Sequence, residues 1–302
     1  MQRALLVTVV ASIVCALLSC WLVLIGWSLM GDAVSHAVLP GVVLSYLFGL
    51  PFAVGAFVFG IGAVALIGTV RETTRLKEDA AIGVVFTTVF AFGVVLVSVT
   101  PSQVDLSHIL FGNVLGVSDV DIVQVLVLGA VAFAVLVLLR RDLTLYSFDR
   151  VHAHVIGLRA RRTGAILLGL LALTVVVALQ AVGVVLAVAM LITPGATAFL
   201  LTDRISRMLL IAPTIAVACA VVGIWASYAL DAASAGLVVV CQGLAFTLAY
   251  LFSPTQGLLR RHGALRAGGR GRQRAPLSLT AAEGTGVGSV LPSAETDGTR
   301  AP

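Results

Sequence analysis

Nine apolar runs, each about long enough to cross a bilayer as a helix, occupy most of this chain up to residue 252. Two adjoining pairs of runs, 33–70 and 164–201, are divided only by Gly-Leu-Pro and by Gln180, so we expect tight turns between them. The pattern predicts an all-α membrane bundle with eight or nine transmembrane helices. The runs lie near 4–28, 33–49, 51–70, 80–99, 119–139, 164–180, 181–201, 208–229 and 235–252.

The composition supports the same class of protein. Hydrophobic residues make up 60% of the sequence and charged residues 11%, whereas a soluble domain is nearer ~25% charged. The net charge of +5 arises from arginines in short loops and a tail, which in a membrane protein indicates topology and not nucleic-acid binding. The four cysteines lie in apolar runs without CxxC spacing, and we interpret them as buried thiols.

The basic segments predict which side of the membrane each loop occupies. Arginine and lysine are concentrated in 71–79, 140–162, 203–207 and the tail after the last run, and the positive-inside rule places all four in the cytoplasm. Residues 100–118 carry neither lysine nor arginine and are expected outside. With nine spans the N-terminus lies outside and residues 29–32 lie on the cytoplasmic side, although Arg3 favours the opposite orientation of the first run.

The segment GDAVSHAVLPG, residues 31–41, places an acid and an imidazole within apolar sequence. Asp32 and His36 are four residues apart, so on a helix both side chains lie on one face. Carboxylate oxygen and imidazole nitrogen both bind divalent first-row metals, and an ionisable residue at membrane depth indicates function. The alternative is a satisfied Asp–His pair at a helix start, with Asp32 near the N-cap and no metal bound.

Several segments in collinear order resemble the permease subunit of metal-ion ABC importers, a family that takes up manganese, zinc or iron. They are GDAVSHAVLPGVVLSYLFG from residue 31, EDAAIGVVFTT (78–88), LFGNVLGVS (110–118), QAVGVVLAVAMLITPGATA (180–198) and LLTDRISRM (200–208). The resemblance covers about residues 3–254. It implies a multi-pass protein of the cell membrane that neither catalyses a reaction nor holds a permanent cofactor, and that transports Mn²⁺, Fe²⁺ or Zn²⁺.

The resemblance also implies partners. Two permease chains form the pore, either as a homodimer or with a second, related permease. Cytoplasmic ATP-binding cassette ATPase subunits drive transport, and an extracytoplasmic metal-binding lipoprotein or solute-binding protein delivers the ion. The chain itself lacks the P-loop sequence GxxxxGK[ST], which agrees with a separate ATPase.

Particular residues take roles from the resemblance. Asp32 and His36 match the positions that meet the ion in the pathway. The cytoplasmic stretch 148–162 matches the segment that couples the permease to the ATPase. Pro194 and Gly195, within ITPGATA, are a possible gate hinge, because proline bends or breaks a helix. The coupling frame is formed by Phe148, Asp149, Ala153, Gly157 and Leu158.

The sequence predicts two regions, a transmembrane permease domain (1–254) and a basic, disordered cytoplasmic tail (255–302) whose arginines lie against anionic lipid. Four other polar residues are interpreted as ordinary surface residues, with a role in metal binding as the alternative: Asp105, His108, His152 and His154.

The sequence lacks the residues that two other functions would require. A metalloprotease would need a motif such as HExxH, which is absent, and a haem or quinone carrier would need paired histidines within the spans. A proton-coupled secondary metal transporter is the remaining alternative, because Asp32 could carry a proton. The metal is not determined, since mixed Asp and His ligation accepts manganese, iron and zinc.

Overall fold

The structure is a computed structural model that describes residues 2–100, 119–148 and 160–253. The chain divides into two compact units, Met1–Arg261 and His262–Pro302, and all described residues belong to the first. The predicted tail, 255–302, lies outside the described residues. Its boundary with the permease domain therefore stays a prediction.

The described part of the chain is helical, and the predicted all-α class is confirmed. Its helices are α1 (Gln2–Ile25), α2 (Ser28–Ala37), α3 (Leu39–Phe48), α4 (Phe52–Thr73), α5 (Glu78–Val99), α6 (Asp119–Leu138), α7 (Arg140–Phe148), α8 (Ala160–Val182), α9 (Val184–Leu201), α10 (Ile205–Leu230) and α11 (Ser234–Phe252).

Eight described helical segments are long and apolar enough to cross a membrane, with α2 and α3 forming one of them. The count becomes nine when α6 and α7, bent by 63° at their junction, are taken as one span. Both numbers agree with the prediction of eight or nine. The span predicted to begin at 33 begins earlier, at Ser28, so the whole 31–41 segment is helical apart from its junction at Val38.

Helix α1 lies at the centre of the unit. In its most apolar stretch 67% of the residues are buried, against 22% for α5 and for α11, most of whose surface therefore lies outside the packing of this chain. Trp21 and Leu18 of α1 are fully buried, and they pack in one continuous apolar core with residues of α2, α8 and α9. Helix α1 therefore contacts α2, which carries Asp32 and His36, and also α7, which belongs to the predicted cytoplasmic segment 140–162.

Residues 140–148 differ from the prediction, which treated 140–162 as a loop. They form helix α7, which turns away from α6 and packs back against the bundle. Leu143 and Tyr146 are buried on its inner face, and Tyr146 contacts Gly164 of α8. An amphipathic pattern of this kind, polar outside and apolar inside, is typical of a helix that lies along a membrane surface.

Candidate metal-binding site

Asp32 and His36 lie in the first half of one broken span, Ser28–Phe48. Helix α2 ends at Ala37 and α3 begins at Leu39, so that only Val38 separates them, and Pro40 lies in the first turn of α3. Proline has no N–H to donate to the carbonyl four residues earlier, which is that of His36, and this accounts for the interruption. Asp32 is the fifth residue of α2, while Trp27 occupies the N-cap position. Asp32 therefore lies more than one turn inside α2, and the choice between a metal site and a satisfied Asp–His pair near a helix start stays a prediction.

The two side chains meet as the sequence predicted. His36 Nε2 lies 3.3 Å from Asp32 Oδ1, one helical turn apart. Both are half-buried, with 28% of the His36 side chain and 35% of the Asp32 side chain exposed. The pair is therefore reachable from one side, while Met30, Ala33, Val34 and Ala37 of α2 are buried.

Two aromatic rings of α5 cover another side of the imidazole. The ring of Phe90 lies 5.3 Å from that of His36, centroid to centroid, in an edge-on arrangement at 78°. The ring of Phe86 lies 5.8 Å away and is tilted by 45°. A cavity of about 20 Å³, room for about one water molecule, opens beside Ser35, His36 and Phe90. The surroundings of His36 are therefore apolar except toward Asp32.

The segment 31–41 packs through its small residues. A Cβ on Gly41 would overlap the carbonyl of Gly55 in α4, so the two backbones are in direct contact. The N–H of Gly55, one of the N–H groups in the first turn of α4 that lack an intrahelical partner, donates to Ser45 Oγ at 3.1 Å. Two further glycines bring the segment close to neighbouring helices, Gly31 beside Leu191 of α9 and Gly93 of α5 beside Pro40.

The beginning of α2 is marked by a cation–π contact. The guanidinium carbon of Arg71, in the last turn of α4, lies 5.5 Å from the centroid of the Trp27 ring. Trp27 itself is buried. This contact brings the start of α2 next to the predicted cytoplasmic loop 71–79.

The other predicted site residues are only partly described. Phe148 ends α7 with 65% of its surface exposed, while Asp149, Ala153, Gly157 and Leu158 lie outside the described residues. Asp105, His108, His152 and His154 also lie outside them. The coupling assignment therefore stays a prediction.

Pro194 and Gly195 lie inside α9, which runs without interruption from Val184 to Leu201. A Cβ on Gly195 would come within 2.6 Å of Ser19 Oγ and 2.7 Å of the Ser19 carbonyl, so Gly195 allows α9 to touch the backbone of α1. The glycine therefore has a packing role, and the predicted hinge remains to be tested.

Comparison with known proteins identifies the family. Residues 1–253 match the model of the ABC 3 transport family. The chain belongs to this family. The resemblance to the permease subunits of metal-ion ABC importers is thereby confirmed, and it extends over nearly the whole of the predicted transmembrane domain.

Two relatives of this ABC 3 family chain align over most of their length. The manganese transport system membrane protein MntB of Synechocystis sp. is 50% identical over 266 residues, which cover 88% of this chain and 87% of that protein. The chelated iron transport system membrane protein YfeD of Yersinia pestis is 47% identical over 253 residues, 84% of this chain and 85% of that protein.

One solved structure supports the fold of this ABC 3 family chain. PsaBC from Streptococcus pneumoniae, determined in complex with a Fab, matches with a TM-score of 0.79 at 37% identity. The match covers 86% of this chain and 94% of that chain. The helical arrangement around Asp32 and His36 therefore belongs to a permease fold.

Sequence reasoning missed the residues that surround the pair. In the sequence, Phe86 and Phe90 are two apolar residues of a predicted span and do not differ from its other apolar residues. Their spacing of four places them on one helix face, and this is the one feature that indicates a shared contact. Arg71 was assigned to a cytoplasmic loop, with no indication that it covers Trp27.

Proposed function

We propose that this chain is the membrane-spanning permease subunit of an ATP-binding cassette importer that moves divalent transition-metal ions into the cytoplasm. Relatives named for manganese transport and for chelated iron transport support manganese and iron as substrates. Zinc is the third candidate, because mixed carboxylate and imidazole ligation also suits it. The single observation that carries the proposal is the 3.3 Å contact of Asp32 with His36 inside a membrane span.

The geometry of the pair suits a metal ion. Bonds of about 2.0–2.2 Å to nitrogen and oxygen place two neighbouring ligand atoms of a tetrahedral ion about 3.4 Å apart. His36 Nε2 and Asp32 Oδ1 are 3.3 Å apart, so an ion can bind both with little rearrangement of either side chain. The pair then supplies two positions of the coordination shell.

The remaining positions belong to water or to a second permease chain. If two copies are related by a two-fold axis along the pathway, each contributes one Asp32–His36 pair, which gives four protein ligands. A site of this kind binds the ion tightly enough to remove it from the delivering protein and still releases it to the cytoplasm. A homodimer is therefore the assembly that we propose.

The rest of the transport system follows from the same role. An ATPase subunit binds the cytoplasmic segment 148–162, which begins at the exposed Phe148, and a solute-binding protein or lipoprotein delivers the ion from outside. The basic loops and the tail lie in the cytoplasm of a cell-membrane protein, and the contact of Arg71 with Trp27 supports placing the start of α2 on that side. The chain itself performs no catalysis.

Metal uptake by cells with His36→Ala tests the site. In a strain whose other manganese and iron uptake systems are deleted, we expect the variant transporter to assemble and hydrolyse ATP but to take up no ⁵⁴Mn²⁺ or ⁵⁵Fe²⁺. Ser35→Ala is the matched control, because the hydroxyl of the neighbouring Ser35 bonds only the backbone carbonyl of Gly31, at 2.8 Å. Normal uptake by His36→Ala would remove the assignment.

A second measurement separates this proposal from a proton-coupled carrier. We expect uptake into vesicles that contain the whole complex to require ATP and to continue without a proton gradient. Uptake that needs the gradient and not ATP would favour the secondary transporter.

A further inference from the structure

The imidazole of His36 has a polar side and an apolar side. Its Nε2 faces the Asp32 carboxylate at 3.3 Å, whereas the rings of Phe86 and Phe90 lie against it at centroid distances of 5.8 and 5.3 Å. Phenyl rings offer neither a hydrogen-bond donor nor an oxygen or nitrogen ligand. Water molecules on that side of the imidazole therefore find no partner on the rings.

Helix α5 presents these two rings inward for a structural reason. Ile82, one turn before Phe86 on the same face of α5, is buried, whereas Phe92, which lies across the helix from Phe90, is 51% exposed. One turn further on, Gly93 lets the backbone of α5 come against Pro40. The aromatic pair, Phe86 and Phe90, is thus held against α2 by packing on both of its sides.

Contacts of this kind restrict the imidazole. Aromatic rings prefer edge-to-face and tilted arrangements with centroids 4.5–7 Å apart, and both contacts fall in that range. With rings against it and the carboxylate in front of it, His36 has little freedom to rotate its nitrogen away from Asp32. The two ligand atoms are therefore oriented before an ion arrives.

The apolar side also affects which ions can bind. An ion bound by both Asp32 and His36 cannot keep its full water shell, because the two side chains take positions that water would hold. On the side of His36 that faces α5, the rings offer water no hydrogen-bonding partner. Mg²⁺ dehydrates reluctantly and usually keeps several waters when bound to protein. Transition-metal ions replace water by imidazole nitrogen more readily than Mg²⁺ does.

We propose that Phe86 and Phe90 are specificity-determining residues, which hold the His36 imidazole toward Asp32 and exclude water, so that Mg²⁺ is rejected at the permease itself. This inference rests on the proposed role of Asp32 and His36 as ligands. It adds a second selection step, within the permease, to any made by the solute-binding protein.

Binding of Mn²⁺ to the purified permease–ATPase complex, without the solute-binding protein, tests the proposal. Mn²⁺ alone is the probe: electron paramagnetic resonance measures free ion, and water-proton relaxation measures the number of waters on the bound ion. For Phe90→Ala we expect more bound water and competition by Mg²⁺ at about tenfold lower concentration, the size of effect typical of residues that orient metal ligands. Phe92→Ala, on the exposed face of the same helix, is the control and should match the unaltered protein.

Phe90→Leu keeps an apolar side chain and guards against failure to fold. We expect it to shift Mg²⁺ competition in the same direction by a smaller factor. If folded Phe90→Ala or Phe90→Leu complexes show unchanged hydration of Mn²⁺ and unchanged Mg²⁺ competition, the inference is overturned.

His36→Ala in the same assay separates this inference from the proposed function. If His36→Ala loses Mn²⁺ binding while the Phe90 variants behave as the unaltered protein, only the role of the aromatic pair is wrong. If His36→Ala binds Mn²⁺ normally, the metal site itself is misplaced and both proposals fail.

Discussion

The indole Nε1–H of Trp21 in α1 donates a hydrogen bond to Thr144 Oγ1 in α7 across 3.2 Å. Trp21 is fully buried, and Thr144 lies four residues before Phe148, where the proposed coupling segment begins. The bond therefore joins the central helix of the bundle to the helix that precedes the proposed ATPase contact. Through it, a movement of α7 would reach α1.

Trp21→Phe tests this connection, because it removes the donor and keeps an aromatic ring. The loss of one hydrogen bond is expected to cost about 1 kcal/mol, so the protein should still fold. We expect metal uptake per ATP hydrolysed to fall several-fold, measured by uptake and phosphate release on the same vesicles. Trp225→Phe is the matched control, since Trp225 is 69% exposed on α10, and an unchanged ratio in Trp21→Phe would contradict the connection.

Gly157→Arg tests the coupling segment itself. A long charged side chain in the segment that we propose as the ATPase contact should prevent close approach, so ATP hydrolysis should continue while metal uptake is lost. The ratio of ⁵⁴Mn²⁺ taken up to ATP hydrolysed is the measurement. Gly268→Arg adds the same charge in the predicted tail and should leave that ratio unchanged. Normal coupling in Gly157→Arg would mean that the ATPase contact lies elsewhere.

Gly55→Val tests the backbone contact between α3 and α4. The added side chain would overlap the Gly41 carbonyl, and overpacking of this kind typically costs about 1–3 kcal/mol. We therefore expect a lower apparent melting temperature of the purified protein and less of it in the membrane. Gly62→Val, in the same helix where a Cβ meets no described atom within 4 Å, should change neither. Equal stability of the two variants would show that the contact is looser than described.

Pro194→Ala tests the possible gate hinge in α9. Alanine is about 3 kcal/mol more favourable than proline within a helix, so the melting temperature should rise. If bending at this point opens the gate, uptake should slow several-fold although the protein is more stable. Pro213→Ala, which removes the proline inside α10, is the control for the effect on stability alone. Unchanged uptake in Pro194→Ala would leave Gly195 with only its packing role against Ser19.

The spans and the Asp32–His36 pair were predictable because both depend on local sequence. An apolar run of about twenty residues determines a spanning helix by its length. A spacing of four residues determines which side chains share a helix face, so the 3.3 Å contact of His36 with Asp32 follows from α2 alone.

The surroundings of the pair were not predictable because they join distant parts of the chain. Phe86 and Phe90 contact His36 although at least fifty residues separate them from it in the sequence. Nothing in the sequence distinguishes these two phenylalanines from Phe92 of the same helix, which is exposed. Helix α7 was not predicted, because Arg140 and Arg141 end an apolar run, a pattern that is typical of a loop. Its inner face becomes apparent only when Leu143 and Tyr146 are seen packed against the bundle.

The contact of Gly41 with Gly55 has a mechanical consequence for the transport cycle. Two helices that touch backbone to backbone, with Ser45 bonded to the N–H of Gly55, cannot slide past each other without separating. We therefore expect α3 and α4 to move together as one rigid body when the pathway changes from outward-facing to inward-facing. Among the described residues, the break between that body and the proposed metal ligands is at Val38. We therefore expect alternating access to change the angle between α3 and α2, the helix that carries Asp32 and His36, at this residue.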